Sequence, residues 1–195
     1  MSNRNKYLII PIVCLALSII ASHSAVHPQE QSPKPWPLDP KALHAEIVEY
    51  KTWTVVNPEP TKLDPVVGTL CADVRSTLET PHKDKYIRVY VNDVGQEAMF
   101  KAKKPNFPVG TIVIKEKLSQ KQSQTADFYT IMLKREAGYD PRGGDWQYLV
   151  MDSARTKIEK PANIESCQSC HAAWAEKSDF ISRAYLSLEQ SQQLR

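Results

Sequence analysis

Thr111-Ile112-Val113-Ile114-Lys115-Glu116-Lys117 decides the fold class. Ile112 and Ile114 fall on one face, and Thr111, Val113 and Lys115 on the other. That period of two is the signature of a strand. The run opens on β-branched residues, which fit a pleated, half-buried surface better than a helix.

Three further segments repeat the pattern. Tyr86 to Asn92 sets Ile87, Val89 and Val91 against Tyr86, Arg88 and Tyr90, and Phe128 to Lys134 and Trp146 to Asp152 are strands of similar length. Gly138 to Gly144, with Asp140-Pro141 and a glycine pair, reads as a turn between the last two. The connections are short or helical, so a mainly antiparallel sheet is expected. Asp39-Pro40 offers a cap and a first-turn proline. Leu43, Ile47, Tyr50 and Trp53 then recur at helical spacing, which predicts a helix from Pro40 to about Trp53. Asp93 with Gln96 resembles a capping box and predicts a short helix over Glu97 to Lys103. The fold class expected is mainly β (α+β): an antiparallel sheet with a few short helices.

The chain of 195 residues is long enough for one domain with a real core. Lys and Arg number 25 against 22 Asp and Glu, so nothing in the balance points to nucleic acid. At the N-terminus, Arg4 and Lys6 precede an apolar run from Tyr7 to Ala21, and Ser22-His23-Ser24 supplies small residues before Ala25. This is the layout of a secretory signal over residues 1–24, with an uncleaved membrane anchor over residues 7–21 as the alternative. Cys14 lies within the apolar run, and Val13 before it is too large for a lipoprotein box. Residues 25–40 are rich in proline and read as a linker, leaving 41–195 as the domain.

Cys167-Gln168-Ser169-Cys170-His171 carries the chemistry. C-x-x-C-H is the attachment signature of c-type haem. Two thiols at this spacing add across the porphyrin vinyl groups, and the adjacent imidazole becomes an axial ligand of the iron. A zinc site would need a second ligand pair, and Cys71 alone does not supply it. Cys71 is read as a lone buried thiol. A short helix from Ala172 to Lys177, with His171 at its start, is expected to follow the last strand. The residues after His171 contain neither Met nor His. Any sixth protein ligand must therefore come from upstream, from Met99, Met132, Met151, His44 or His82. An open, five-coordinate iron is the expectation. Helical bundles with a late haem motif are set aside by the alternating strands.

The region from about Tyr50 to Tyr185 resembles the cytochrome P-460 family. The matching stretches are Tyr50-Lys-Thr-Trp-Thr-Val-Val-Asn-Pro58, Pro81-His82, Ile87-Arg-Val-Tyr-Val-Asn92 and Phe107-Pro-Val-Gly-Thr-Ile-Val-Ile-Lys-Glu116. Met132-Leu-Lys-Arg-Glu136, Gly138-Tyr-Asp-Pro141, Gly144-Asp-Trp146, Cys167 to Ala172 and Asp179-Phe180 complete the series. The resemblance implies a periplasmic, often dimeric monohaem protein, mainly β, with five-coordinate iron. It implies one of two activities: oxidation of hydroxylamine, or binding of nitric oxide and related gases without turnover, as in the cytochromes c-prime-beta. A simple electron carrier is a third reading. A redox partner protein is expected in each case.

The resemblance also assigns residues. Cys167, Cys170 and His171 would hold the haem. Lys115, in its Thr-x-x-x-Lys-Glu context, would be bonded to a meso carbon of the porphyrin; without the resemblance it reads as an exposed strand charge. Arg88 would lie near the haem pocket, as would His82. Thr130 stands where the enzymes carry a glutamate, and a threonine hydroxyl can hydrogen-bond but cannot serve as a base at neutral pH. Trp146 and Trp174 read as core or haem-edge packing.

Overall fold

The computed structural model describes residues 39–63 and 84–194. The N-terminal signal or anchor, most of the linker, Cys71 and His82 lie outside the described residues. Among those described, an antiparallel seven-stranded sheet organises the domain.

Its strands are β1 (Thr54–Val55), β2 (Thr61–Lys62), β3 (Tyr86–Val91), β4 (Ile112–Leu118), β5 (Phe128–Lys134), β6 (Trp146–Asp152) and β7 (Ile158–Glu159). The order is β1-β3-β4-β5-β6-β7, with β2 also paired to β3. β1 and β2 share one edge of β3, facing Tyr90–Val91 and Tyr86–Ile87 respectively. Asn57 fills the gap between them: its side chain accepts from Val89 N and donates to Ile87 O, each at 2.8 Å. The backbone groups of β3 are thereby satisfied where no strand faces them. Asn92 does the same at the strand's end, donating to Gly110 O at 2.9 Å and accepting from Ile112 N at 3.0 Å.

Strand alternation gives the sheet two different faces. One carries Ile87, Val89, Val91, Val113, Met132, Trp146 and Tyr148, covered by Ala98, Met99, Phe107, Ile181 and Leu186. The other carries Tyr90, Ile112, Ile114, Leu118, Tyr129, Ile131, Leu133, Leu149 and Met151, against Ile47 and Tyr50. Helix α1 (Pro40–Val48) supplies Ile47, and Asp39 caps it by accepting from Lys41 N and Ala42 N. Such a cap is worth about 1 kcal/mol.

The four long strands match the sequence reading, with β4 displaced by one residue and its faces unchanged. The helices differ more. α1 stops at Val48, and Tyr50–Thr52 forms a separate 3₁₀ turn. α2 covers Gln96–Phe100 behind a 3₁₀ turn at Asp93–Gly95. The Asp93 side chain accepts from the Gln96 side chain at 2.6 Å and caps no backbone group. The haem motif does not precede a helix but lies inside one, α3 (Ile164–Ala172). Asn163 starts it by accepting from Ser166 N at 3.1 Å, which places His171 in the last turn. α4 (Ala175–Ser178) is a separate single turn, and α5 (Leu188–Gln193) begins in a Ser187–Gln190 capping box.

Candidate haem site

Helical spacing puts Cys167 and Cys170 one turn apart and His171 four residues after Cys167, all toward one side of α3. Both cysteines are thiols, and all three residues line one cavity. Burial, reinforced by Cys170, pushes the Cys167 thiol up. Gln168, between the two, donates to Asp140 Oδ2 at 2.6 Å and ties α3 to the β5–β6 turn.

His171 is held on three sides. Its Nδ1 donates to the Phe180 carbonyl at 2.7 Å, which leaves Nε2 for a metal. The Tyr148 and Trp174 rings flank the imidazole, with centroids at 5.5 and 5.9 Å. Burial, with Lys115 and Lys117 nearby, pushes the imidazole down to about 3, against the upward pull of the Phe180 carbonyl. A neutral ring is the form that ligates iron.

The Phe180 carbonyl is itself fixed by a tight turn. Asp179 and Phe180 have φ of 48° and 65°, both left-handed. Lys134 Nζ donates to both Asp179 carboxylate oxygens at 2.8 Å and to Gly144 O at 2.9 Å. Phe107 N donates to Asp179 Oδ2 at 2.8 Å, and Trp146 Nε1 donates to Asp179 O at 2.9 Å. Lys134 also lies 5.0 Å from the centre of the Trp146 ring. A lysine only 8 % exposed is tolerated because it is paired in this way.

The cavity runs between α3 and the sheet. Val113, Lys115, Lys117, Thr130, Met132, Tyr148 and Val150 form its sheet wall, with Leu63, Trp174 and Tyr185 elsewhere. These residues fit a haem. The described walls are mainly apolar, as the porphyrin body needs, and among the described lining residues Lys62, Lys115 and Lys117 carry charge of the sign that suits two propionates. The Tyr148 hydroxyl is buried with no hydrogen-bond partner among the described residues. Buried polar groups are rarely left so, and a bound group would supply what it lacks. Burial and the neighbouring Cys167, Asp140 and Cys170 push that hydroxyl upward, keeping it a donor.

Lys115 and Thr130 are brought together in the sheet wall as direct register partners of β4 and β5. Lys115 Nζ lies 5.2 Å from the centre of the Tyr185 ring. Arg88 goes elsewhere. Its register partner is Glu116, whose side chain points to the opposite face, and Arg88 Nη1 reaches Glu116 Oε2 at 3.4 Å. Arg88 is not among the described residues that line the cavity. Glu116 is 1 % exposed and also accepts from Tyr50 Oη at 2.6 Å and from Lys51 Nζ. Of the upstream sixth-ligand candidates, Met132 lines the cavity. Met99 is buried in the core on α2, and Met151 lies on the far face. His44 donates to the Arg155 carbonyl at 3.0 Å. His82 falls outside the described residues.

Tyr148 was not legible as a site residue. Its alternation within β6 marks it as core, and only the ring contact with His171 in the folded chain places it beside the haem motif. Phe180 and Lys134 are likewise joined to the site only by tertiary folding.

The family model described as cytochrome P-460 matches residues 48–182. No curated protein matches the chain.

Proposed function

The chain belongs to the cytochrome P-460 family, and from that premise we propose an exported monohaem c-type cytochrome that binds a small nitrogen ligand, nitric oxide or hydroxylamine, at an open distal iron position. Membership carries the coarser part, a haem cytochrome of a typically periplasmic family. No helix among the described residues is long and apolar enough to cross a membrane.

The bound haem would supply an iron that takes a ligand on one side and exchanges one electron with a redox partner protein. The chain's own residues do the rest. Cys167 and Cys170 anchor the porphyrin through thioethers. His171 Nε2 holds the iron, with Nδ1 committed to Phe180 O. Lys115, in the cavity wall, would bond the porphyrin edge and distort it. Lys62 and Lys117 offer positive charge to the propionates.

One observation favours binding over oxidation. The described lining residues include no carboxylate, and the position opposite Lys115 is Thr130. Hydroxylamine oxidation sheds protons and calls for a base close to the ligand. The Thr130 hydroxyl can steady a bound ligand by a hydrogen bond, but it cannot accept a proton at neutral pH.

Optical and electron paramagnetic resonance spectra of the ferric protein test the proposal. A high-spin, five-coordinate iron that takes up nitric oxide is the expected result. A six-coordinate low-spin iron with a methionine band would overturn it and favour an electron carrier ligated by Met132.

A further inference from the structure

The imidazole of His171 depends on a carbonyl that sits in an unusual piece of backbone. Asp179 and Phe180 are consecutive non-glycine residues with φ of 48° and 65°. Such conformations carry strain and persist where surrounding contacts over-determine them. Here the contacts come from three distant segments: Phe107, Lys134 at the end of β5, and Trp146 at the start of β6. Lys134 and Asp179 are the charged pair at the centre, with side chains 11 % and 14 % exposed. Neither lines the cavity. A second contact tightens the arrangement: a Cβ on Gly144 would fall 2.3 Å from Phe180 Cε2, so the Phe180 ring lies directly against that glycine.

We propose that the Lys134–Asp179 ion pair is a positioning device for the proximal ligand. It holds the Phe180 carbonyl against His171 Nδ1 and so fixes the tautomer, the ring plane and the donor strength of the imidazole. A hydrogen bond from the second ring nitrogen raises the basicity of a metal-bound histidine. When the turn relaxes, the bond at 2.7 Å lengthens and the imidazole becomes a weaker donor. A weaker donor stabilises the ferric state less, so the reduction potential rises. The inference rests on the haem reading.

The test uses the haem-loaded protein and the variants Asp179→Asn, Lys134→Met and Lys134→Arg. Pyridine haemochrome spectra report attachment, resonance Raman spectra of the reduced protein report the iron–histidine stretch, and a redox titration reports the potential. Asp179→Asn and Lys134→Met should keep the haem, lower the stretching frequency and raise the potential. Lys134→Arg, which retains the charge, should move both back toward the native values. Tyr50→Phe, on the far face, should lower stability without moving either. If Lys134→Met fails to fold, Asp179→Asn decides alone, since it keeps the side-chain shape and an acceptor for Phe107 N. Haem-loaded variants with unchanged stretch and potential would overturn the positioning role. A native protein that attaches no haem would instead overturn the haem reading itself.

Discussion

Lys115 and Thr130 face each other directly across the β4–β5 ladder, both half-buried in the cavity wall. Directly opposed residues have Cβ atoms about 4.5–5.5 Å apart. A carboxylate at position 130 would thus stand in the cavity wall, ionised at neutral pH and able to accept a proton. Thr130→Glu should raise hydroxylamine oxidation with an electron acceptor by about 100-fold or more, the usual range for a positioned base. Steady-state assays of native and variant protein check this. Turnover already high in the native protein would contradict the ligand-binding reading.

Lys115 bonded to the porphyrin would leave the haem on the chain after its thioethers are cleaved. Intact-mass measurement should then find haem retained in the native protein and released from Lys115→Arg. The ferrous Soret band should be red-shifted in the native protein, through distortion of the macrocycle, and should return to an ordinary c-type position in the variant. Complete release from the native protein would show that no such bond forms.

Gly144 has φ of +64°, and its Cα faces the Phe180 ring. Gly144→Ala meets both a disfavoured backbone region and an overpacked contact. Together these should lower stability by about 2–4 kcal/mol, read as a drop in Tm of roughly 2–4 °C for each kcal/mol in a chain of this size. Thermal unfolding followed by circular dichroism measures it. An unchanged Tm would mean that the turn yields freely.

Alkaline pH should unfold the protein through its buried tyrosines. Burial, then the bond to Glu116, raises the Tyr50 hydroxyl, and burial raises Tyr148. For a raised group the stabilisation is full below the unfolded value and is lost as pH climbs toward the folded one. Above pH about 10 the unfolded chain ionises its tyrosines while the folded chain cannot. Tyr50→Phe should cost about 1.5–3 kcal/mol at neutral pH, the range for a hydrogen bond to a charged group. It should also flatten the alkaline fall, seen in denaturant midpoints measured from pH 7 to 11.

The sheet was readable in the sequence because each long strand buries alternate residues on two chemically different faces. Ile112 and Ile114 meet the tyrosine side, while Val113 meets the haem side. β1, β2 and β7, at two residues each, are too short to show any period. α3 escaped because no residue in it is fully buried, so Cys167 to His171 give no apolar stripe. The proximal clamp could not be read at all: Phe107, Lys134, Trp146 and Asp179 meet only after folding. Yet Lys134, Gly144, Trp146 and Asp179 each fall in a stretch that carried the resemblance. Arg88 shows the reverse limit. Alternation places it with Tyr86 and Tyr90, and only the pairing with Glu116 tells which side of the sheet that is.

Lys115 and Glu116 are neighbours in sequence but serve opposite sides of the sheet. Slipping β4 by one residue would swap every side chain across the plane. Glu116 would enter the cavity, while Lys115 and Lys117 would be driven among Ile131, Leu149 and the tyrosines. The chamber would lose the cations of Lys115 and Lys117, gain a carboxylate, and no longer suit the propionates it is proposed to hold. Tyr50, Lys51 and Arg88, gathered on Glu116, act as a key that admits one alignment of the strand. The charge of the chamber is thus decided on the reverse of the wall that lines it.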